Sequence, residues 1–183
     1  MRFAEYLYRA ITPRHAAEPL SGEGARRFGG RFNAQGTPAL YLAAGFVTAM
    51  HEANQVGTLR PMTLVTCEAD IENLFDARNP AELAREGIDP AALPAAAWRD
   101  EMKRQGASRS QRIAASLAAK DYHGLVVKNF DKGNAMNPDA TNIVLWMWPD
   151  PPARLRVVDD KGRLDTLSGI AVFAGRGSVS QIG

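Results

Sequence analysis

One cysteine, three histidines and no long hydrophobic run set the 183-residue chain short of several kinds of chemistry at once. A single thiol, Cys67, excludes an internal disulfide and gives no support to an oxidising compartment. It lies mid-strand among apolar residues and reads as a packed thiol rather than a nucleophile. His15, His51 and His123 stand far apart in no ligand-spaced motif, so no metal is expected. No apolar stretch approaches the ~20 residues that a membrane-spanning helix needs. Arg2, Glu5 and Arg9 interrupt the first segment and argue against a secretory signal. The expected compartment is the cytoplasm, with no membrane partner.

An excess of one charge is missing too. Twenty-two basic residues meet twenty acidic ones for a net of +2, and no Lys/Arg run announces a basic stripe. Direct nucleic-acid binding is not expected of this chain, and a ribonuclease would also lack its His-based acid–base pair. Neither a phosphate-binding Gly-x-x-x-x-Gly-Lys-Ser/Thr loop nor a Gly-x-Ser-x-Gly elbow is present.

The length and the 45% apolar share suit one compact domain, residues 1–183, built on a single core. Strands are predicted over Tyr6–Ile11, Ala39–Ala43, Met62–Ile71, Leu125–Phe130, Asn142–Trp148 and Arg154–Asp159. Helices are predicted over Phe46–Val56, from Pro80 behind an Asn79 cap with Glu82 reaching back, over Ala95–Gln105 and over Gln111–Lys120. In the Phe46 helix, Phe46, Ala49, Met50 and Ala53 form one stripe, while Thr48, Glu52 and Gln55 share another face. The Gly-rich stretch Leu20–Asn33 has no period and reads as a shaped loop. Ser168–Gly183 reads as a tail with an edge strand near Ile170–Phe173. Strands and helices without regular βαβ alternation define an α+β class.

The informative segment is Gly29-Gly-Arg-Phe-Asn-Ala-Gln-Gly-Thr-Pro-Ala-Leu-Tyr-Leu-Ala43, followed by Thr48-Ala-Met-His-Glu52. It resembles the RES-domain family, toxins of bacterial toxin–antitoxin pairs named after an Arg, a Glu and a Ser. The family pattern is Gly-Gly-Arg-aromatic-Asn, a Gly-Thr-Pro turn, an apolar strand bearing Tyr and a helix bearing Glu. Tyr8-Arg9-Ala10, Gly124-Leu-Val-Val and Thr141-Asn-Ile-Val-Leu look like the family as well, so the resemblance runs from about Leu7 to Trp148. One position departs: Asn129 stands where the family usually carries Ser. Asn donates and accepts hydrogen bonds but supplies no hydroxyl nucleophile.

The resemblance implies an ADP-ribosyltransferase-like fold, a mixed sheet core with flanking helices, that consumes NAD⁺ as substrate and uses no metal. It implies a cellular protein as acceptor of ADP-ribose, or phosphate or water instead. It also implies a cognate antitoxin with a helix-turn-helix portion that covers the active site. Carried onto this chain, the catalytic residues are Arg31, Tyr41 and Glu52, and the cofactor contacts are Arg31, Phe32, Tyr41 and Asn129. Their chemistry suits the bond. Nicotinamide leaves as a neutral molecule and needs no proton, so one carboxylate, Glu52, suffices to stabilise an oxocarbenium-like ribose. Arg31 offers a planar fork to the diphosphate, and Gly29 and Gly30 let the backbone come close. Tyr41 offers a ring for nicotinamide and a hydroxyl for its amide or ribose. A non-catalytic nucleotide-binding or interaction module on the same scaffold is the alternative of a different class.

Overall fold

The computed structural model describes residues 1–53, 61–130, 140–148 and 153–162. Every named strand joins one seven-stranded sheet of order β4-β5-β6-β2-β1-β3-β7. In chain order the strands are β1 (Tyr6–Ile11), β2 (Leu40–Ala43), β3 (Thr63–Asp70), β4 (Leu74–Asp76), β5 (Gly124–Lys128), β6 (Thr141–Leu145) and β7 (Arg154–Val157). The helices are α1 (Glu23–Phe28), α2 (Phe46–Ala53), α3 (Pro80–Arg85), α4 (Trp98–Gln105) and α5 (Arg109–Ala118). Neighbouring strands run antiparallel except β4 beside β5. This is the mixed α+β sheet with flanking helices that the sequence predicts.

The pleat sorts side chains onto two cores. Leu7, Leu40, Leu42, Val65, Cys67, Ile143 and Leu145 pack on one face. Phe32, Phe75, Leu83, Leu93, Ala114, Leu117, Leu125, Val127 and Val144 pack with the helices on the other. Burial pushes the Cys67 thiol up to about 11, which keeps it protonated near neutrality, as a packed thiol should be.

The sheet is not uniformly joined. β1 meets β3 over six register pairs, but it meets β2 only at Tyr8↔Ala43. The two halves therefore part along the β1/β2 seam, and α2 packs across that seam.

Four expectations are corrected. Leu20–Asn33 contains α1, a six-residue helix, inside the stretch read as loop. β4 was not predicted at all. Glu82 does not close a capping box: Asn79 accepts from the Ala81 N–H, but Glu82 receives the Asp76 N–H at 3.4 Å. On α2, Thr48 and Ala49 are the buried residues, whereas Phe46 is 53% and Met50 40% exposed. The helix thus turns Thr48 and Ala49 toward the protein, while Glu52, exposed, reaches the rim of the cleft. Gln55 and the rest of the predicted helix, most of the loop before Thr141, and the Ser168–Gly183 tail lie outside the described residues.

Candidate active site

The Gly-rich segment is built as a tight turn on a buried polar frame. Gly30 and Asn33 pair through their main chains, which places Arg31 and Phe32 at the corners. Gly29 has φ +70, a conformation that glycine adopts without steric cost. A Cβ on Gly30 would strike the Tyr41 hydroxyl and lie 2.6 Å from Asn33 Oδ1. Asn33, 3% exposed, donates through Nδ2 to the carbonyls of Ala25 (2.9 Å) and Thr37 (2.8 Å).

The N-terminus of α5 locks the turn from below. Ser108 and Gln111 form a complete capping box. The Gln111 amide then reaches across to donate to Gly30 O (2.8 Å) and Asn33 O (2.9 Å), while Ser110 Oγ donates to Arg31 O (2.7 Å). Gln111 Oε1 also accepts the Ser108 N–H at 2.8 Å. Gln111→Leu removes three buried hydrogen bonds at about 1 kcal/mol each. The expected result is a loss on the order of 3 kcal/mol, read as a Tm lower by about 10 °C in a thermal melt.

Arg31 leaves this turn and lies half-buried. Its Nη1 donates to Ala95 O (2.8 Å) and more weakly to Leu93 O (3.3 Å). The guanidinium lies within cation–π reach of two rings, 5.8 Å from the Trp98 centroid and 5.5 Å from that of Phe130. Burial and nearby Arg99 pull its pKa below the ordinary arginine value, while Glu52 pulls the other way. Arg9, from β1, is held in the same manner: its Nη1 donates to Pro19 O (2.6 Å) and Ser21 O (3.0 Å), and burial lowers its pKa. Among the described residues both cations hydrogen-bond to carbonyls, with Glu52 near enough to act on Arg31 through its charge.

Tyr41 is committed differently from the sequence expectation. Its hydroxyl donates to Asn33 Oδ1 (2.8 Å) and accepts the Phe32 N–H (3.0 Å), and burial raises its pKa. The hydroxyl therefore braces the turn, and the ring is what Tyr41 presents to the cleft. Phe32, 3% exposed, is mainly a core residue whose carbonyl accepts Trp146 Nε1 at 2.9 Å.

Glu52 lies on α2 across the opening. Its Oε1 accepts Asn129 Nδ2 at 2.6 Å and Asn142 Nδ2 at 2.9 Å. Asn129 thus meets the glutamate itself, and Asn142, which the sequence reading did not single out, meets the same oxygen. A cleft of about 670 Å³ gathers these groups: Arg9, Arg31, Phe32, Tyr41, Glu52, Trp98, Arg99, Lys128, Phe130 and Asn142 all line it. A smaller hollow of about 230 Å³ adjoins it at the β1/β2 seam and shares Arg9, Tyr41, Glu52 and Asn142. Among the described residues no cluster of His, Cys, Asp and Glu has the makings of a metal site. No helix among them is long and apolar enough to cross a membrane.

Fold and site together define an α+β protein whose sheet borders a cleft lined by one clamped carboxylate and several cations. The RES domain family model matches residues 6–166, and the chain belongs to that family. A chain of the crystal structure of the M. tuberculosis MbcT–MbcA toxin–antitoxin complex shares the fold, with a TM-score of 0.63 and 21% identity over 92% of this chain and 91% of that one. No curated protein sequence matches it.

Proposed function

We propose that the protein is the toxin of a toxin–antitoxin pair, breaking the nicotinamide–ribose bond of NAD⁺ and passing ADP-ribose to a cellular protein. The observation that carries this reading is the composition of the cleft: one carboxylate held by two amides, and two guanidiniums that hydrogen-bond to main-chain carbonyls, with no salt bridge to a carboxylate among the described residues. Half-buried cations of this kind are completed by an anionic ligand. A diphosphate matches them, and the aromatic walls Tyr41, Trp98 and Phe130 match flat rings.

The chemistry follows from the bond. The pyridinium nitrogen takes the C–N electron pair and departs as neutral nicotinamide. The ribose carbon is left electron-poor, and the Glu52 carboxylate stabilises that charge. An acceptor nucleophile then forms the new bond to this carbon and gives up its proton. The family, and a fold neighbour solved in a toxin–antitoxin complex, support a cognate antitoxin as partner; on this reading it silences the protein by blocking the cleft near Arg31.

A second acceptor, inorganic phosphate, is favoured by one feature. Arg9, Arg31, Arg99 and Lys128 line the cleft, more positive charge than a diphosphate needs. NAD⁺ labelled in its adenylate half separates the two readings when incubated with the protein, cell lysate or phosphate. Label fixed to a protein band establishes transfer to protein. Label recovered only as ADP-ribose phosphate establishes phosphorolysis. Absence of nicotinamide release in every mixture removes both and leaves a nucleotide-binding or interaction module.

A further inference from the structure

We infer that Asn142 is a positioning residue for Glu52: with Asn129 it clamps one carboxylate oxygen and sets the orientation in which the carboxylate meets the ribose. The inference rests on the NAD⁺-cleaving reading of the cleft and adds to it a residue placed there by geometry.

Asn142 is the second residue of β6, paired with Ala43 on one side and Val127 on the other. The pleat sends Ile143 and Leu145 into one core and turns Asn142 and Val144 toward the cleft. An amide there stands on a strand that is hydrogen-bonded on both sides, which makes it a rigid anchor. Asn129 follows β5 and is tied to the same sheet by its main-chain N–H, which donates to Ala140 O at 2.7 Å. Its Nδ2 also lies 3.4 Å from Asn142 Oδ1. That contact sets the sense of the Asn142 amide, because a flipped amide would turn its oxygen toward the carboxylate. Glu52 itself is a long, exposed side chain on a short described helix, with rotamer freedom to lose. Two donors on Oε1 remove that freedom before substrate arrives, and such preorganisation is what a developing charge requires.

The experiment compares wild type with Asn142→Leu and Asn142→Asp in steady-state nicotinamide release over a range of pH. Asn142→Leu keeps the volume and removes the donor. It is expected to lower kcat on the order of 10²-fold while KM for NAD⁺ stays nearly unchanged. Asn142→Asp is isosteric, and its introduced carboxyl can donate to Glu52 only while protonated. Glu52 beside it favours that protonated form, and Arg9, Arg31, Arg99 and Lys128 around the cleft favour the ionised one. Its activity is therefore expected to fall as pH rises, a limb that wild type lacks. A merely structural role would instead make the activity loss of each variant follow a loss of folded protein, read as a lower Tm in a thermal melt at the same pH. Should Asn142→Leu fail to fold, the isosteric variant carries the test.

A third readout is independent of turnover. The side-chain amide signals of Asn129 and Asn142 in a ¹⁵N–¹H spectrum are expected to move together in Glu52→Ala. Unchanged kcat in Asn142→Leu, with an Asn142→Asp profile superimposable on that of wild type, overturns the positioning role while the NAD⁺ reading stands. Wild type that releases no nicotinamide overturns that reading, and the positioning role falls with it.

Discussion

Glu52→Gln is expected to lower kcat for nicotinamide release by about 10²–10³-fold, the range seen when one preorganised electrostatic group is removed from a comparable site. KM for NAD⁺ should change little, because on the proposed reading the ground-state ligand is held by the cations and rings of the cleft rather than by this carboxylate. The glutamine oxygen can still accept Asn129 and Asn142, so the clamp survives and the fold is unaffected. What is lost is the negative charge opposite the ribose carbon at the moment it becomes electron-poor. Stopped assays of nicotinamide release, with a thermal melt of each protein alongside, measure this. A variant that melts like wild type and turns over like wild type would remove Glu52 from the chemistry. A variant that melts early would show instead that the carboxylate is a structural member of the seam.

How far this site could be read from the chain depends on the distance over which each part is determined. The Arg31 turn, the Tyr41 strand and the Glu52 helix are local: glycine pairs, alternation and helical spacing within about 25 residues announce them. β3 was legible for the same reason, since Val65, Cys67 and Ala69 at every second position face one core, whereas β1 buries only Leu7 and was readable only as a short β-compatible segment. β4 was not, because three residues carry no period and their strand character comes from parallel pairing with β5, some fifty positions away. α1 was hidden by its glycines. Gly22 reads as a helix breaker, yet its position is set by the Trp148 ring, which leaves no space for a side chain.

The α2 face shows where hydrophobic periodicity misleads. The rule that apolar residues point inward assumes an apolar interior, and α2 borders a polar cleft. Phe46 and Met50 are left at the surface so that Glu52 can reach the opening. Asn142 was invisible for a related reason: a lone Asn in an apolar strand acquires meaning only beside Glu52, from which the chain separates it by 90 positions. That the hydroxyl of Tyr41 bonds Asn33 and the Phe32 N–H was not legible, because nothing local in the sequence shows either partner.

The second large effect concerns the opposite wall. Arg31→Lys keeps the charge and is expected to raise KM for NAD⁺ by about 10–100-fold, the equivalent of one charge-assisted hydrogen-bond set of about 1.5–3 kcal/mol. A lysine ammonium is a point donor, whereas the guanidinium spends one nitrogen on Ala95 O and Leu93 O and lies within cation–π reach of Trp98 and Phe130. Those contacts aim the fork before the ligand binds; a flexible ammonium would have to find phosphate oxygens at the cost of its own entropy. Arg9 is held by carbonyls in the same way, so residual affinity should remain in the variant and should weaken further as salt is raised. Turnover at saturating NAD⁺ should fall much less than in Glu52→Gln if, as proposed, Arg31 acts on the diphosphate and not on the breaking bond. Titration of NAD⁺ against each variant, by kinetics and by calorimetry, gives the contrast directly. If Arg31→Lys instead lost kcat with KM intact, the diphosphate would have to lie elsewhere, and the guanidinium would belong to the transition state.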